Sequence, residues 1–206
     1  VITSSDTFGA DRADGDEDPA DPLALLIGWL PANDAELRPL MTLSTIGLDG
    51  YPAARNVLVS RIDADGIYIH TDSRSGKAAE LAAVPRACGT LVWPEIGRQV
   101  VVVGDVAPTS PTEAHAAFAA RSRYLQLLAW ANTAELAAEP LAQRRAVWQA
   151  FAAAHPDGTL SPPPTWCGFR LRPHRITFWR GDAEGPSNRA EYRVAASGWM
   201  VARLPG

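Results

Sequence analysis

Arg55, Asn56 and Ser60 lie within one β-forming run, His70 and Thr71 end the next, and Gln99 opens a later one. Polar groups embedded in strands need partners once buried, so guanidinium, amide, hydroxyl and imidazole groups gathered this way are candidate ligand contacts. Ser75 and Lys77 begin the helix expected after Thr71. There, unpaired N–H groups and the positive end of the dipole favour an anion such as a phosphate. Arg55 reaches the same anion if the strands pair as a meander. The set suits a small phosphorylated cofactor, with amide and hydroxyl groups left for a polar ring. Each residue also has an ordinary reading. Arg55 reads as an edge charge, Ser75 as an N-cap, Lys77 as a first-turn lysine, and Gln99, His70 and Thr71 as strand-end hydrogen-bonders. Trp179, flanked by Ile176 and Phe178, reads as core, and Arg189 as a surface charge.

The elements that must position these groups follow from period and turn chemistry. Asp21-Pro22 supplies an N-cap and a first-turn proline for a helix whose Leu23, Leu26, Ile27 and Leu30 recur at helical spacing. Residues 40–46, 53–62 and 67–71 read as antiparallel strands separated by Asp49-Gly50 and by the turn at 63–66. A helix is expected over 75–83, then strands over 87–93 and 99–106, the run 100–103 being covered on both faces. Ser110-Pro111-Thr112-Glu113 predicts a capped helix, and helical sequence continues with breaks to 154. Strands over 166–171, 176–179, 192–195 and 200–204 close the chain. Strands, a helical insertion and more strands indicate an α+β domain around a small antiparallel barrel, spanning 21–206. Residues 1–20, acidic and poor in aliphatic bulk, read as a flexible arm.

Composition narrows the partners. The chain has 206 residues and a formal net charge of −4, which provides no overall basic field for nucleic acid. Cys88 and Cys167 form neither a metal-ligand pair nor a disulfide framework, no stretch approaches a membrane span, and no metal site is indicated. A cytoplasmic location is expected. Dinucleotide, nucleoside-triphosphate, zincin and hydrolase motifs are lacking, and the four histidines stand alone.

In order along the chain, these residues resemble the pyridoxamine-5′-phosphate oxidase family. Met41-Thr42-Leu43-Ser44-Thr45, followed by Asp49-Gly50-Tyr51-Pro52-Ala53-Ala54-Arg55-Asn56-Val57-Leu58-Val59, is similar to that family's M-T-L-A-T, D-G-x-P-x-x-R-x-V-L-L. Val92-Trp93-Pro94-Glu95-Ile96-Gly97-Arg98-Gln99-Val100 resembles Y-W-P-x-x-x-R-Q-V, and Ile176-Thr177-Phe178-Trp179-Arg180-Gly181 resembles I-E-F-W-Q-G. The resemblance implies a split barrel with flavin mononucleotide (FMN) at the interface of a homodimer. It assigns Arg55, Asn56, Val57, Leu58, His70, Thr71, Ser75, Lys77, Gln99, Trp179 and Arg189 to the cofactor. The middle arginine of the family's S-R-K phosphate motif is Gly76 here, with Arg74 nearby.

The substrate side departs further. Ser60 stands where the family closes its strand with lysine. The Y-F-x-S-R-P-R-x-S segment reads Ala117-Phe118-Ala119-Ala120-Arg121-Ser122-Arg123-Tyr124-Leu125, keeping Arg121 but placing Leu125 at the serine, and R-x-H reads Gly185-Pro186-Ser187. Each lost charge-assisted partner is worth about 1.5–3 kcal/mol, so a phosphorylated pyridoxine is disfavoured. The resemblance therefore implies an FMN-dependent oxidase passing a hydride from a small, reduced, unphosphorylated cyclic metabolite to flavin and then to oxygen. Relatives that oxidise dihydrophenazine-type intermediates offer the analogy. Two alternatives stand beside it: a pyridoxamine or pyridoxine 5′-phosphate oxidase with a phosphate clamp rebuilt from Arg121, Arg123 and Arg180, and a non-catalytic flavin-binding protein. No side chain is singled out as a general base.

Overall fold

Asp21 caps the first helix as its place before Pro22 predicts, its Oδ1 accepting from the N–H groups of Leu23 at 2.9 Å and Ala24 at 3.2 Å. In this computed structural model, which describes residues 18–30, 40–182 and 184–206, that helix is α1 (Pro22–Trp29). It buries Leu23, Leu26 and Trp29, while Ile27, expected to face inward, is exposed. The larger indole, on the last residue of the helix, takes the apolar face. Of the arm expected at 1–20, residues 1–17 lie outside the described residues.

The strands are β1 (Met41–Ile46), β2 (Pro52–Val57), β3 (Val59–Asp63), β4 (Gly66–Asp72), β5 (Arg86–Trp93), β6 (Arg98–Pro108), β7 (Trp166–Arg180), β8 (Asn188–Ala195) and β9 (Gly198–Pro205), with α2 (Gly76–Ala83) between β4 and β5. They form one nine-stranded sheet in the order β2-β1-β5-β6-β7-β4-β3, with β8 pairing both β7 and β9. The run expected as one strand over 53–62 is broken at Leu58, and the two pieces do not form a meander. β2 pairs β1 at one end of the path, and β3 pairs β4 at the other. In a flat sheet, strands six spacings apart would be roughly 29 Å from one another, whereas the Cα atoms of Val57 and Val59 can separate by at most about 7 Å. The sheet must therefore curl until its ends meet at Leu58, and a register shift between Val59 and Arg61 helps β3 leave the corner. This is the antiparallel split barrel of the expected α+β class.

Two further expectations change. The strands foreseen over 166–171 and 176–179 are a single 15-residue strand, β7, with Pro173 inside it. The apolar run at 100–103 is fully covered on one face only: Val100 and Val102 are completely buried, whereas Val101 and Val103 are half-buried. Uninterrupted apolar sequence conceals a period-2 burial that packing on one face imposes.

The described chain divides into two compact units. The first comprises the described parts of Val1–Ile69, Glu80–Ala107 and Arg170–Gly206, and holds most of the sheet around a core that includes Met41, Leu43, Leu91, Val100, Ile176, Phe178 and Tyr192. Within it, Arg203 Nε donates to Asp18 Oδ2 at 2.7 Å. The second comprises His70–Ala79 and Pro108–Phe169, and carries the helical insertion: α3 (Pro111–Ala119), α4 (Arg123–Ala131), α5 (Ala134–Ala138) and α6 (Leu141–Ala154). α3 begins with the capping box foreseen at Ser110 and Glu113.

Gly104 has its missing side chain directed at the Arg172 carbonyl, whereas nothing lies within 4 Å of the corresponding position at Gly28 in α1. Gly104→Ala should lower stability by about 1–3 kcal/mol through overpacking. Gly28→Ala should raise it by about 0.5–1 kcal/mol through helix propensity. Urea-unfolding midpoints moving in opposite directions would check both.

Candidate functional site

In the first unit, Arg55 is not the solvated edge charge of its ordinary reading. On β1, Met41, Leu43 and Thr45 face inward, and Thr45 is buried to 3% exposure. On β2, Ala53, Arg55 and Val57 share the half-buried face, with Arg55 opposite Leu43. The guanidinium Nη2 donates to Glu80 Oε2 at 2.6 Å, and Nη1 donates to Thr45 Oγ1 and, at 3.4 Å, to the Leu43 carbonyl. The Thr45 hydroxyl donates in turn to Glu80 Oε2. Asn56 points to the opposite, exposed face, where its Oδ1 accepts from Thr42 Oγ1 at 2.8 Å. Leu58 and Ser60 are exposed at and just after the corner.

Elsewhere in this unit, Trp179 and Arg189 stand directly opposite each other on β7 and β8. Arg189 Nε is buried and has no hydrogen-bond partner among the described residues. A buried guanidinium nitrogen left this way fits a group that accepts from it. Gln99 opposes Val92 in the β5–β6 ladder. Gly185 lies beside Asp182, and Ser187 lies against Gly206.

The second unit assembles the rest. At the start of α2, Lys77 Nζ donates to Thr71 Oγ1 at 3.0 Å, and the Thr71 and Ser75 hydroxyls are 3.4 Å apart. Two hydroxyls and an ammonium thus converge where the first N–H groups of a helix point outward, a cradle that fits the phosphoryl group of FMN. Arg74 lies just before α2, two residues from Gly76. It is engaged by Asp72, with Nε 3.1 Å from Oδ1 and Nη2 2.7 Å from Oδ2, and Thr165 Oγ1 donates to the same carboxylate at 3.0 Å. The Arg74 guanidinium holds the Asp72 carboxyl down at about 2, despite some burial that works the other way.

Around β7's first residue a second cluster forms in this unit. Trp166 Nε1 donates to the Ala114 carbonyl at 2.8 Å, fixing an indole that stacks on His70 at 5.6 Å between centroids and meets Phe118 edge-on. The Arg121 guanidinium lies 4.6 Å from the Trp166 ring centroid. Burial disfavours its charged form and draws its pKa down from the usual arginine value. Arg121 has no ion-pair partner among the described residues, so a half-buried cation rests on an aromatic face. Leu125 is half-buried on α4. Gly168 leaves room for the His70 imidazole, which an added side chain there would strike. Cys167 Sγ reaches the Thr71 carbonyl at 3.6 Å, and burial pushes its thiol pKa up, so it stays a thiol at neutral pH.

Two of the arginines named for a rebuilt phosphate clamp have protein contacts of their own. Arg123 binds the carbonyls of His155 at 2.6 Å and Ala152 at 2.7 Å and pairs with Asp157, closing the end of α6. Arg180 lies over the Trp29 ring. Three residues that build these clusters, Thr45, Glu80 and Trp166, carry no signal of their own in the sequence: a threonine within a strand, an acid within a helix and a tryptophan at a strand start are common residue types in common places.

Comparisons with known proteins agree with this architecture. The family model described as pyridoxamine 5′-phosphate oxidase matches residues 33–179, and that of the pyridoxine 5′-phosphate oxidase C-terminal dimerisation region matches residues 166–205. A pyridoxine/pyridoxamine 5′-phosphate oxidase of Caulobacter vibrioides is 36% identical over 193 residues, covering 89% of this chain and 84% of that protein. Its counterpart in Salinispora arenicola is 39% identical over 166 residues, covering 80% and 75%. Among solved structures, PhzG from Burkholderia lata in complex with tetrahydrophenazine-1-carboxylic acid matches with a TM-score of 0.84 at 27% identity, covering 96% of this chain and all of that one. A pyridoxamine 5′-phosphate oxidase-related, FMN-binding protein from Nostoc punctiforme shares the fold, with a TM-score of 0.67 at 21% identity over 81% of this chain and 88% of that one. Among the described residues no helix is long and apolar enough to cross a membrane.

The Asp72 carboxyl has a folded pKa of about 2 against an ordinary 3.8. Its contribution to stability is complete above the ordinary value and is lost as pH falls through the folded one. Wild-type protein should therefore lose stability between about pH 4 and 2 more steeply than Asp72→Asn, as acid-unfolding curves of the two would show.

Proposed function

Because this chain belongs to the pyridoxamine 5′-phosphate oxidase family of dimeric, FMN-dependent oxidases, we propose that it oxidises a small, reduced, cyclic metabolite bearing a carboxylate rather than a phosphate. Arg121 carries this reading: a half-buried cation seated on Trp166, without an acid among the described residues to neutralise it. One guanidinium matches one carboxylate in a bidentate pair, whereas a phosphate dianion calls for more cations than this. Ser60 and Leu125 stand where the family has a lysine and a serine, and Arg123 is held by the end of α6. PhzG, which aligns over nearly the whole chain, is described with a tetrahydrophenazine carboxylic acid.

FMN, when bound, supplies the two-electron acceptor that oxygen reoxidises. Thr71, Ser75 and Lys77 would hold its phosphoryl group together with Arg55. Asn56, Val57, Leu58, His70, Gln99, Trp179 and Arg189 are the remaining cofactor contacts, with the cofactor at the interface of the homodimer. Ser60, Arg121, Leu125, Gly185 and Ser187 face the substrate, and Arg121 orients it by its acid group while Trp166 keeps water from one side of the guanidinium. Cys88 and Cys167, both free thiols, suit a reducing cytoplasm. The relatives named as pyridoxine/pyridoxamine 5′-phosphate oxidases favour a second reading, in which the phosphorylated vitamin is the substrate. The engaged Arg123 and Arg180 count against it.

Anaerobic bleaching of the FMN-loaded protein separates the two. A dihydrophenazine carboxylate should reduce the flavin faster than its uncarboxylated analogue or pyridoxine 5′-phosphate. Arg121→Leu should raise KM for the carboxylate roughly 10-fold to 100-fold, corresponding to a lost charge-assisted pair, and leave the uncarboxylated analogue little changed. Fastest bleaching by pyridoxine 5′-phosphate would overturn the proposal.

A further inference from the structure

Arg55, Thr45 and Glu80 form a closed hydrogen-bonded ring in the first unit, and the flavin reading does not by itself require two of its three members. We infer that Glu80 and Thr45 are positioning residues for the cofactor, holding the Arg55 guanidinium in the orientation in which it meets the FMN phosphoryl group. The inference rests on the reading that Arg55 is a phosphate ligand.

The chemistry of the ring supports this. Thr45 Oγ1 accepts from Arg55 Nη1 and donates its own hydrogen to Glu80 Oε2, which also accepts from Arg55 Nη2. A hydroxyl accepts and donates at a single atom, so valine, which has the same shape but neither capacity, cannot close the ring. Both Nη1 hydrogens are directed at Thr45 and the Leu43 carbonyl, and one Nη2 hydrogen at Glu80. The Nε–H and the second Nη2–H remain, on one edge of the fork, with no further partner among the described residues.

Burial makes a purely structural role a poor account. The Arg55 side chain is 24% exposed and that of Glu80 12%. An ion pair this buried seldom stabilises a fold more than apolar residues of the same volume would. What such a pair does provide is a fixed geometry, because a long side chain on an inward strand face otherwise samples several rotamers and must be ordered when the ligand arrives. Glu80 comes from the middle of α2, so a helix backbone holds the carboxylate that meets the arginine. Thr45, the buried polar residue of β1, thereby gains a reason for standing among apolar neighbours.

FMN affinity of the apo-protein, read by quenching of flavin fluorescence, tests the inference without reference to turnover. Arg55→Ala should weaken binding roughly 10-fold to 100-fold, as for one charge-assisted contact. Glu80→Ala should weaken it about tenfold and Thr45→Val several-fold, while Thr45→Ser should bind as the wild type does. Glu80→Gln, which keeps one acceptor, should fall between Glu80→Ala and wild type and guards against a variant that fails to fold, with circular dichroism as the check. The double variant Arg55→Ala/Glu80→Ala should bind no more weakly than Arg55→Ala alone, because Glu80 acts only through the arginine. Wild-type affinity in Glu80→Ala and Thr45→Val, with Arg55→Ala weakened, would overturn the positioning role and leave the phosphate reading standing. Additive loss in the double variant would likewise show that Glu80 acts on the fold instead. Unchanged affinity in Arg55→Ala would remove the phosphate reading and this inference with it.

Discussion

A single residue, Leu58, joins two strands that occupy opposite ends of the sheet path, and most of the first unit follows from that connection. β2 and β3 cannot be chain neighbours unless the sheet curls, and curling turns one face of β1, β2, β5 and β6 inward onto Met41, Leu43, Leu91, Val100 and Val102. Alternation along each strand then decides which side chains are enclosed. Arg55 shares its parity with Ala53 and Val57, so closing the sheet carries a guanidinium into the half-buried layer, where it must be paired. Glu80 and Thr45 meet that requirement.

The two units treat a sequestered arginine in opposite ways. Arg55 has a carboxylate and a hydroxyl fixed against it, so its charge is balanced and its direction set before any ligand binds. Arg121 has an indole instead, which shields it from water without neutralising it. An arginine that is oriented and neutralised in advance offers a fixed set of donors more than net charge. An arginine left with its full charge suits a ligand with a single acid group.

Much of the architecture was legible in residue order. Asp21-Pro22 and Ser110-Pro111-Thr112-Glu113 are local cap chemistry, and both helices begin there because the side chains that satisfy the first N–H groups are sequence neighbours. The cradle of Thr71, Ser75 and Lys77 was readable for the same reason, since a strand end and a helix start six residues apart can meet only locally. The break at Leu58 was not readable. A run of β-forming residues looks alike whether it stays in one hairpin or passes from one end of a sheet to the other, and the choice belongs to partners far along the chain.

The residue types and their order determined the helix caps, the meeting of Thr71, Ser75 and Lys77, the family resemblance with its flavin, and the departures from the family's substrate-side motifs. Each of these is carried by neighbouring residues or by side-chain identity alone. Tertiary structure alone decided that Arg55 turns inward onto Glu80, that Arg74 is taken up by Asp72 and Arg123 by the end of α6, and that Trp166 lies between the chemistry of His70 and Arg121 in one cluster. Those outcomes depend on which acid, carbonyl or ring the fold places within about 3–5 Å of a cation, and sequence spacing holds no record of that distance.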